Sequence, residues 1–230
     1  MSTGQTIGFT VTALMGIMVA AVFVYALIKG LPMWMKRQKE LPGWAKANGL
    51  TLNSAKDYSI CSRLPDFQCL HMDHHSYAWN VAEGMIDGRP VCVFDYSYKS
   101  GSHRRSLSAV MVNAGLPLKP LLIRADKTYK LLGFEDTDFE SAAFSQRYIV
   151  NSPDRRWAYD VLNQKTIELI LCYPPFDYEF RDGHVIAYVR QRFLSLGDIN
   201  CALKVVTGML DNLPPGIVEE MKAMHGKPGS

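Results

Sequence analysis

The residues best suited to chemistry form a short histidine-rich cluster. Four possible metal ligands, His71, Asp73, His74 and His75, fall within five consecutive positions, and zinc and copper both favour imidazole. Adjacent His74 and His75 point in different directions in a helix or a strand, and a metal would need a further ligand from elsewhere, such as His103. We therefore predict an exposed polar loop with no metal, and keep His71, His74 and His75 as a weak metal candidate.

Other catalytic patterns are missing from the sequence. It has no G-x-S-x-G string, no Walker A string and no G-x-G-x-x-G string, so it lacks the common hydrolase and nucleotide-binding signatures. Cys172 has no histidine partner that the sequence identifies. The acids between Glu135 and Glu140 are dense, which is typical of a solvated loop or a helix start. We predict a protein that is not an enzyme and holds no cofactor.

A long apolar stretch at the amino terminus predicts a membrane span. Residues 7–28 carry no charged side chain, and at about 1.5 Å per residue they are long enough to cross a bilayer core of about 30 Å. A cleaved signal peptide is disfavoured because it needs a positive amino-terminal region. Gly30 and Pro32 would end the helix. The basic residues that follow predict a single-pass protein of the bacterial inner membrane, with its amino terminus outside and its carboxy-terminal domain in the cytoplasm.

Two groups of residues would serve this anchor. Gly16 and Ala20 form a small-x-x-x-small pair that would let a second membrane helix approach closely. An interfacial tryptophan and several basic side chains after the span are suited to anionic lipid. The predicted membrane-surface residues are Trp34, Lys36, Arg37, Lys39 and Lys46.

Charge and cysteine content exclude two further classes of protein. The whole chain carries a formal net charge of +3, and the basic segment after the apolar stretch supplies that excess, so the rest has no dense Lys/Arg footprint for nucleic acid. Five cysteines without regular spacing do not form a disulfide framework. They fit a reducing compartment.

The rest of the chain predicts an α+β fold. Two-residue alternation from Asn80 onward, with turns at Asp87-Gly88 and Asp182-Gly183, predicts an antiparallel β-sheet. Helical spacing and capping residues from Ser152 onward predict helices packed on one face of that sheet. The predicted divisions are a transmembrane anchor at 1–30, a juxtamembrane linker at 31–75, a cytoplasmic α+β domain at 76–214 and a polar tail at 215–230.

Aromatic residues are frequent on the first predicted strands. They can pack in the core, or they can form a face that docks a partner. This candidate interaction face consists of Tyr77, Trp79, Phe94, Tyr96 and Tyr98.

Several strings resemble a family of uncharacterised, single-pass, membrane-anchored bacterial proteins. They are the F-D-Y-x-Y string that begins at Phe94 after a G-R-P-V turn, and the W-A-x-A-N-G-L string at residues 44–50. A third string comprises Phe144, Arg147, Tyr148, Val150, Asp154 and Arg156. The resemblance implies an anchored architecture and brings no catalytic residues. Asn163-Gln164 stands where the family tends to have a His-Pro pair.

These observations predict a non-catalytic accessory or scaffold subunit. Its cytoplasmic domain would bind an integral membrane protein complex, for example a photosynthetic or respiratory assembly, and membrane lipid. The alternatives are a membrane-surface sensor or lipid-binding domain, and a tethered metal-dependent hydrolase that uses His71, His74 and His75.

Overall fold

The computed structural model describes residues 3–70, 76–125, 139 and 141–225, and it describes side chains in all of these except 3–14, 26–34, 61 and 224–225. The chain divides into two compact units, residues 1–43 and 44–230. Each unit is described by itself.

The amino-terminal unit is helical. Helix α1, Thr3–Ala47, continues through Gly30 and Pro32 instead of ending there. Its apolar side chains between Met15 and Tyr25 are exposed. A membrane span needs about 20 consecutive apolar residues, and none of the helices in the described part of the chain is both long and apolar enough to cross a membrane. The predicted transmembrane anchor is therefore wrong, and the location in the inner membrane that rested on it is wrong with it.

The second unit is built on one antiparallel sheet of eight strands, in the order β1-β2-β3-β4-β8-β7-β5-β6. The strands are β1 Thr51–Asn53, β2 Tyr77–Ile86, β3 Arg89–Ser100, β4 His103–Asn113, β5 Leu121–Arg124, β6 Ile149–Asn151, β7 Asp177–Arg181 and β8 His184–Arg190. The remaining helices are α2 Ile60–Arg63, α3 Ala142–Arg147, α4 Arg155–Val161, α5 Gln164–Leu171, α6 Leu196–Asp211 and α7 Pro215–His225. Helix α7 occupies most of the segment predicted to be a polar tail.

Two Asp-Gly turns set the hairpins, as their sequence indicates. Asp87 and Gly88 join β2 to β3 with φ of 49° and 75°, and Asp182 and Gly183 join β7 to β8 with φ of 46° and 79°. Two consecutive residues with positive φ match the right-handed twist of the paired strands. The register of both hairpins follows from these turns.

The sheet is buried on both faces. The face that carries Cys92, Phe94 and Tyr96 packs against residues 60–70, and we call it the loop face. The face that carries Val93 and Asp95 lies under α6, which contacts β4 and β8, and we call it the helix face. The predicted antiparallel sheet with helices is therefore present. Helices were predicted on one face only, whereas the segment with α2 covers the opposite face.

Side-chain caps fix where four of the described helices begin, among them α3, where Ser141 accepts a hydrogen bond from the Phe144 N–H. Asn163 accepts a hydrogen bond from the Thr166 N–H at the start of α5. Ser195 and Asp198 form a reciprocal capping box at the start of α6. Asp154 caps α4. Such caps satisfy the N–H groups that the first turn of a helix leaves unpaired.

Gly84 offers a test of this packing. A methyl group at Gly84 would lie 2.8 Å from Leu50 Cδ2 and 2.9 Å from the Gly49 carbonyl oxygen. Because backbone cannot easily move away, we expect Gly84→Ala to lower the free energy of unfolding by about 1–3 kcal/mol in urea denaturation. The control is Gly197→Ala, where the nearest atom is 3.6 Å away. An equal loss in both variants would contradict the packing described for β1 and β2.

Candidate interaction surface

A group of four aromatic side chains lies at the start of β2 and beside the segment that enters α6. The Tyr58 and Tyr77 ring centroids are 5.5 Å apart, Tyr77 and Trp79 are 5.6 Å apart, and Trp79 meets Phe193 edge-on at 5.9 Å. Tyr58 is exposed and the other three rings are half-buried. We call these four residues the aromatic patch.

Two exposed cations flank the central ring of the aromatic patch. Lys56 Nζ lies 4.5 Å from the Tyr77 ring centroid, and the Arg104 guanidinium carbon lies 5.2 Å from it. Arg104 also donates a hydrogen bond to Ser97 Oγ at 2.8 Å, which fixes its side chain. Lys99 pairs with Arg104 in the β3–β4 register and is likewise exposed. The patch therefore combines aromatic surface with positive charge.

The strand register places the patch on the helix face. Tyr77 lies opposite Ser97, and Trp79 lies opposite Asp95. The register shifts between Trp79 and Ala82, where Asn80 adopts a φ of 52°. A bulge of this kind re-aims neighbouring side chains and increases the local twist.

A buried polar group stabilises the bulge. Asp95 is fully buried, accepts a hydrogen bond from Asn80 Nδ2 at 2.9 Å, and accepts a further hydrogen bond from the Ser108 hydroxyl. A buried carboxylate is costly unless such donors satisfy it. Asp95 therefore ties β2, β3 and β4 together beneath the patch, and its role is structural.

The sequence-predicted interaction face is divided between the two sides of the sheet. Tyr77 and Trp79 belong to the half-exposed patch, whereas Phe94, Tyr96 and Tyr98 are buried in the loop-face core. Residues on alternate positions of a strand point to opposite faces, so the five rings do not form one surface.

The structure adds residues that the sequence analysis missed. Tyr58 and Phe193 come from segments far from β2 in the chain, and Lys56 and Arg104 complete the charge around Tyr77. No local pattern joins these residues. The bridge between Asp57 and Ala78 brings Tyr58 and Lys56 to β2, pairing of β3 with β4 brings Arg104, and pairing of β4 with β8 brings the segment with Phe193.

The predicted membrane-surface residues differ in exposure. Lys36, Lys39 and Lys46 are exposed, and Lys36 Nζ lies 3.8 Å from Glu40 Oε1. Arg37 is buried. The Trp34 side chain lies outside the described residues. Gly16 and Ala20 are exposed on α1, and their helix contact stays a prediction.

The histidine cluster at 71–75 and the acids at 135, 136, 138 and 140 lie outside the described residues. His103 is exposed at the start of β4. Within the described ranges, no three His, Cys, Asp or Glu side chains are placed to hold a metal ion.

Burial raises the pKa of several groups in the core. Burial raises the pKa of the Cys69 and Cys92 thiols, and burial raises the pKa of Tyr148 to about 12. Burial also raises the pKa of Glu179, although the Gln68 N–H, which donates to Oε1 at 2.8 Å, and Arg181 act against it. Such thiols favour the unreactive protonated form.

The comparisons with known proteins add one likeness. No family model matches the chain, and no curated protein matches it. The fold is similar to the crystal structure of the mycobacterial trehalose monomycolate transport factor A, TtfA, with a TM-score of 0.55 and 14% identity. The match covers 77% of this chain and 96% of that one. At this identity the likeness shows the fold alone.

Glu179 predicts a pH dependence of stability. Because its folded-state pKa is raised, its contribution is fully present below the unfolded pKa of about 4.5 and is lost as pH rises through the folded pKa. We therefore expect the free energy of unfolding of the native chain to fall relative to Glu179→Gln over that rise. Urea titrations at a series of pH values measure it. Exposed Glu219→Gln is the control, and parallel profiles for the native chain and Glu179→Gln would refute the expectation.

Proposed function

We propose that this protein is a non-catalytic accessory factor that acts by binding a protein of a membrane complex. The observation that carries the proposal is the aromatic patch, in which the Tyr77 ring contacts Tyr58 and Trp79 and has Lys56 and Arg104 beside it. Tyrosine, tryptophan and arginine are enriched at the energetic centres of protein interfaces.

Charge indicates the chemistry of the partner. The exposed cations beside the aromatic patch are Lys56, Lys99 and Arg104. Asp57, next to Tyr58 in the chain, and Glu83 on β2 both form ion pairs with Arg63, at 2.5 and 3.2 Å. We propose that the patch binds a protein segment in which acidic side chains flank an apolar or aromatic one, because that segment complements both features.

The fold likeness supports an accessory role. TtfA is named as a transport factor, and we take that name as support for an accessory role of this chain. A membrane transport or assembly complex is therefore the proposed setting. Exposed apolar side chains on α1, among them Ile17, Val22 and Phe23, give a second surface suited to protein contact.

Charge reversal on the patch tests the proposal. We expect the double variant Lys56→Glu, Arg104→Glu to reduce recovery of the partner by at least about tenfold, since loss of roughly 1.4 kcal/mol of pairing has that effect. The measurement is mild-detergent affinity purification through a carboxy-terminal tag, with quantitative mass spectrometry.

The control is the double variant Lys165→Glu, Lys204→Glu, which reverses two exposed lysines on α5 and α6. Circular dichroism and thermal melting establish that both variants fold. Recovery of a stoichiometric partner by the native chain and the control, but not by the patch variant, supports the proposal. Equal recovery by all three, or no stoichiometric partner of the native chain, overturns it.

A further inference from the structure

A second surface feature lies on the loop face, where the ends of three strands meet. Arg124 ends β5, Asp177 begins β7 and Arg190 ends β8. Arg124 and Asp177 each lie one position beyond the paired residues Ile123 and Tyr178. Together with Tyr188 and Arg192 these residues line a pocket of about 360 Å³.

The pocket is held in place by contacts among its own side chains. Asp177 Oδ1 accepts the Ala125 N–H at 2.9 Å, and its other oxygen lies 3.8 Å from Arg190 Nε. Arg190 also donates to the Tyr188 hydroxyl at 3.3 Å and lies over the Tyr188 ring at 5.5 Å. A ligand would therefore meet a preorganised guanidinium, which lowers the entropic cost of binding.

The other two arginines differ in depth. Arg124 is only 7% exposed, and its Nη2 donates to Gln68 Oε1 at 3.5 Å. Arg192 is about half exposed and its Nη1 lies 3.1 Å from Asp198 Oδ2. The pocket thus has one arginine in its interior, one at its side and one at its rim.

The charge of the lining is unbalanced. Three arginines face one carboxylate, Asp177, among the described lining residues. Two acids outside the lining offset part of this charge: Asp198 lies 3.1 Å from Arg192, and Glu179, which accepts the Gln68 N–H, interacts electrostatically with Arg124. Guanidinium groups that share a partly desolvated cavity repel one another, and a bound anion relieves that repulsion.

We infer that this pocket binds a small oxyanion, the phosphate or carboxylate group of a ligand. The planar guanidinium fork matches both groups through paired N–H donors. A volume of about 360 Å³ lies within the range of small-molecule sites and leaves room for a group attached to the anion. The assignment does not depend on the aromatic patch, which lies on the opposite face of the sheet.

The test is isothermal titration calorimetry of the full chain with inorganic phosphate and with acetate, at constant ionic strength. We expect saturable binding of at least one of the two anions. Arg190→Gln should weaken the affinity for the anion by at least about tenfold. Arg190→Lys keeps the charge but loses the paired N–H donors, so its affinity should lie between those of the native chain and Arg190→Gln. The control is Arg105→Gln, which removes an exposed arginine outside the pocket.

The outcomes separate the sources of the anion. Phosphate binding identifies a phosphorylated ligand, and acetate binding alone identifies a carboxylate. If phosphate binds, vesicle sedimentation distinguishes two sources. A lipid headgroup is assigned if the protein sediments with phosphatidic acid vesicles but not with phosphatidylcholine vesicles, and if free phosphate prevents that sedimentation. A soluble phosphate compound is assigned if the protein does not sediment with phosphatidic acid vesicles. No saturable binding of either anion, or equal loss in Arg190→Gln and Arg105→Gln, overturns the inference.

Discussion

Burial of strand β3 on both faces is the constraint on which the rest of the structure depends. Phe94 and Tyr96 are fully buried on the loop face, and Asp95 between them is fully buried on the helix face. Because side chains alternate along a strand, a shift of one residue would exchange the two sets. The aromatic core, the Asp95 hydrogen bonds and the placement of Tyr77 opposite Ser97 therefore all require the same register.

Electrostatics divides the described residues between structure and recognition. Asp95 and Glu179 are buried and accept hydrogen bonds that hold strands or loops together. Cations remain at two surfaces, around Tyr77 on one face of the sheet and in the arginine-lined pocket on the other. A charge is far less costly at a surface than in the core, so the features suited to binding lie at the margins of the sheet.

Local sequence signals predicted much of the second unit. The Asp-Gly turns at 87–88 and 182–183 were predicted, and so were helices after Ser152. The start of α4 was predicted too early, because Asp154 rather than Ser152 caps it. The apolar amino-terminal stretch predicted a transmembrane anchor, and that prediction is wrong.

The candidate site was predicted only in part. Tyr77 and Trp79 were recognised from their own strand, but Phe94, Tyr96 and Tyr98 were grouped with them and lie in the core. Tyr58, Phe193, Lys56 and Arg104 were missed. The sequence by itself determined turns, caps and strand alternation, because these depend on backbone sterics and hydrogen bonds within a few residues. Only the tertiary structure decided which rings and cations meet, because that depends on contacts between segments far apart in the chain.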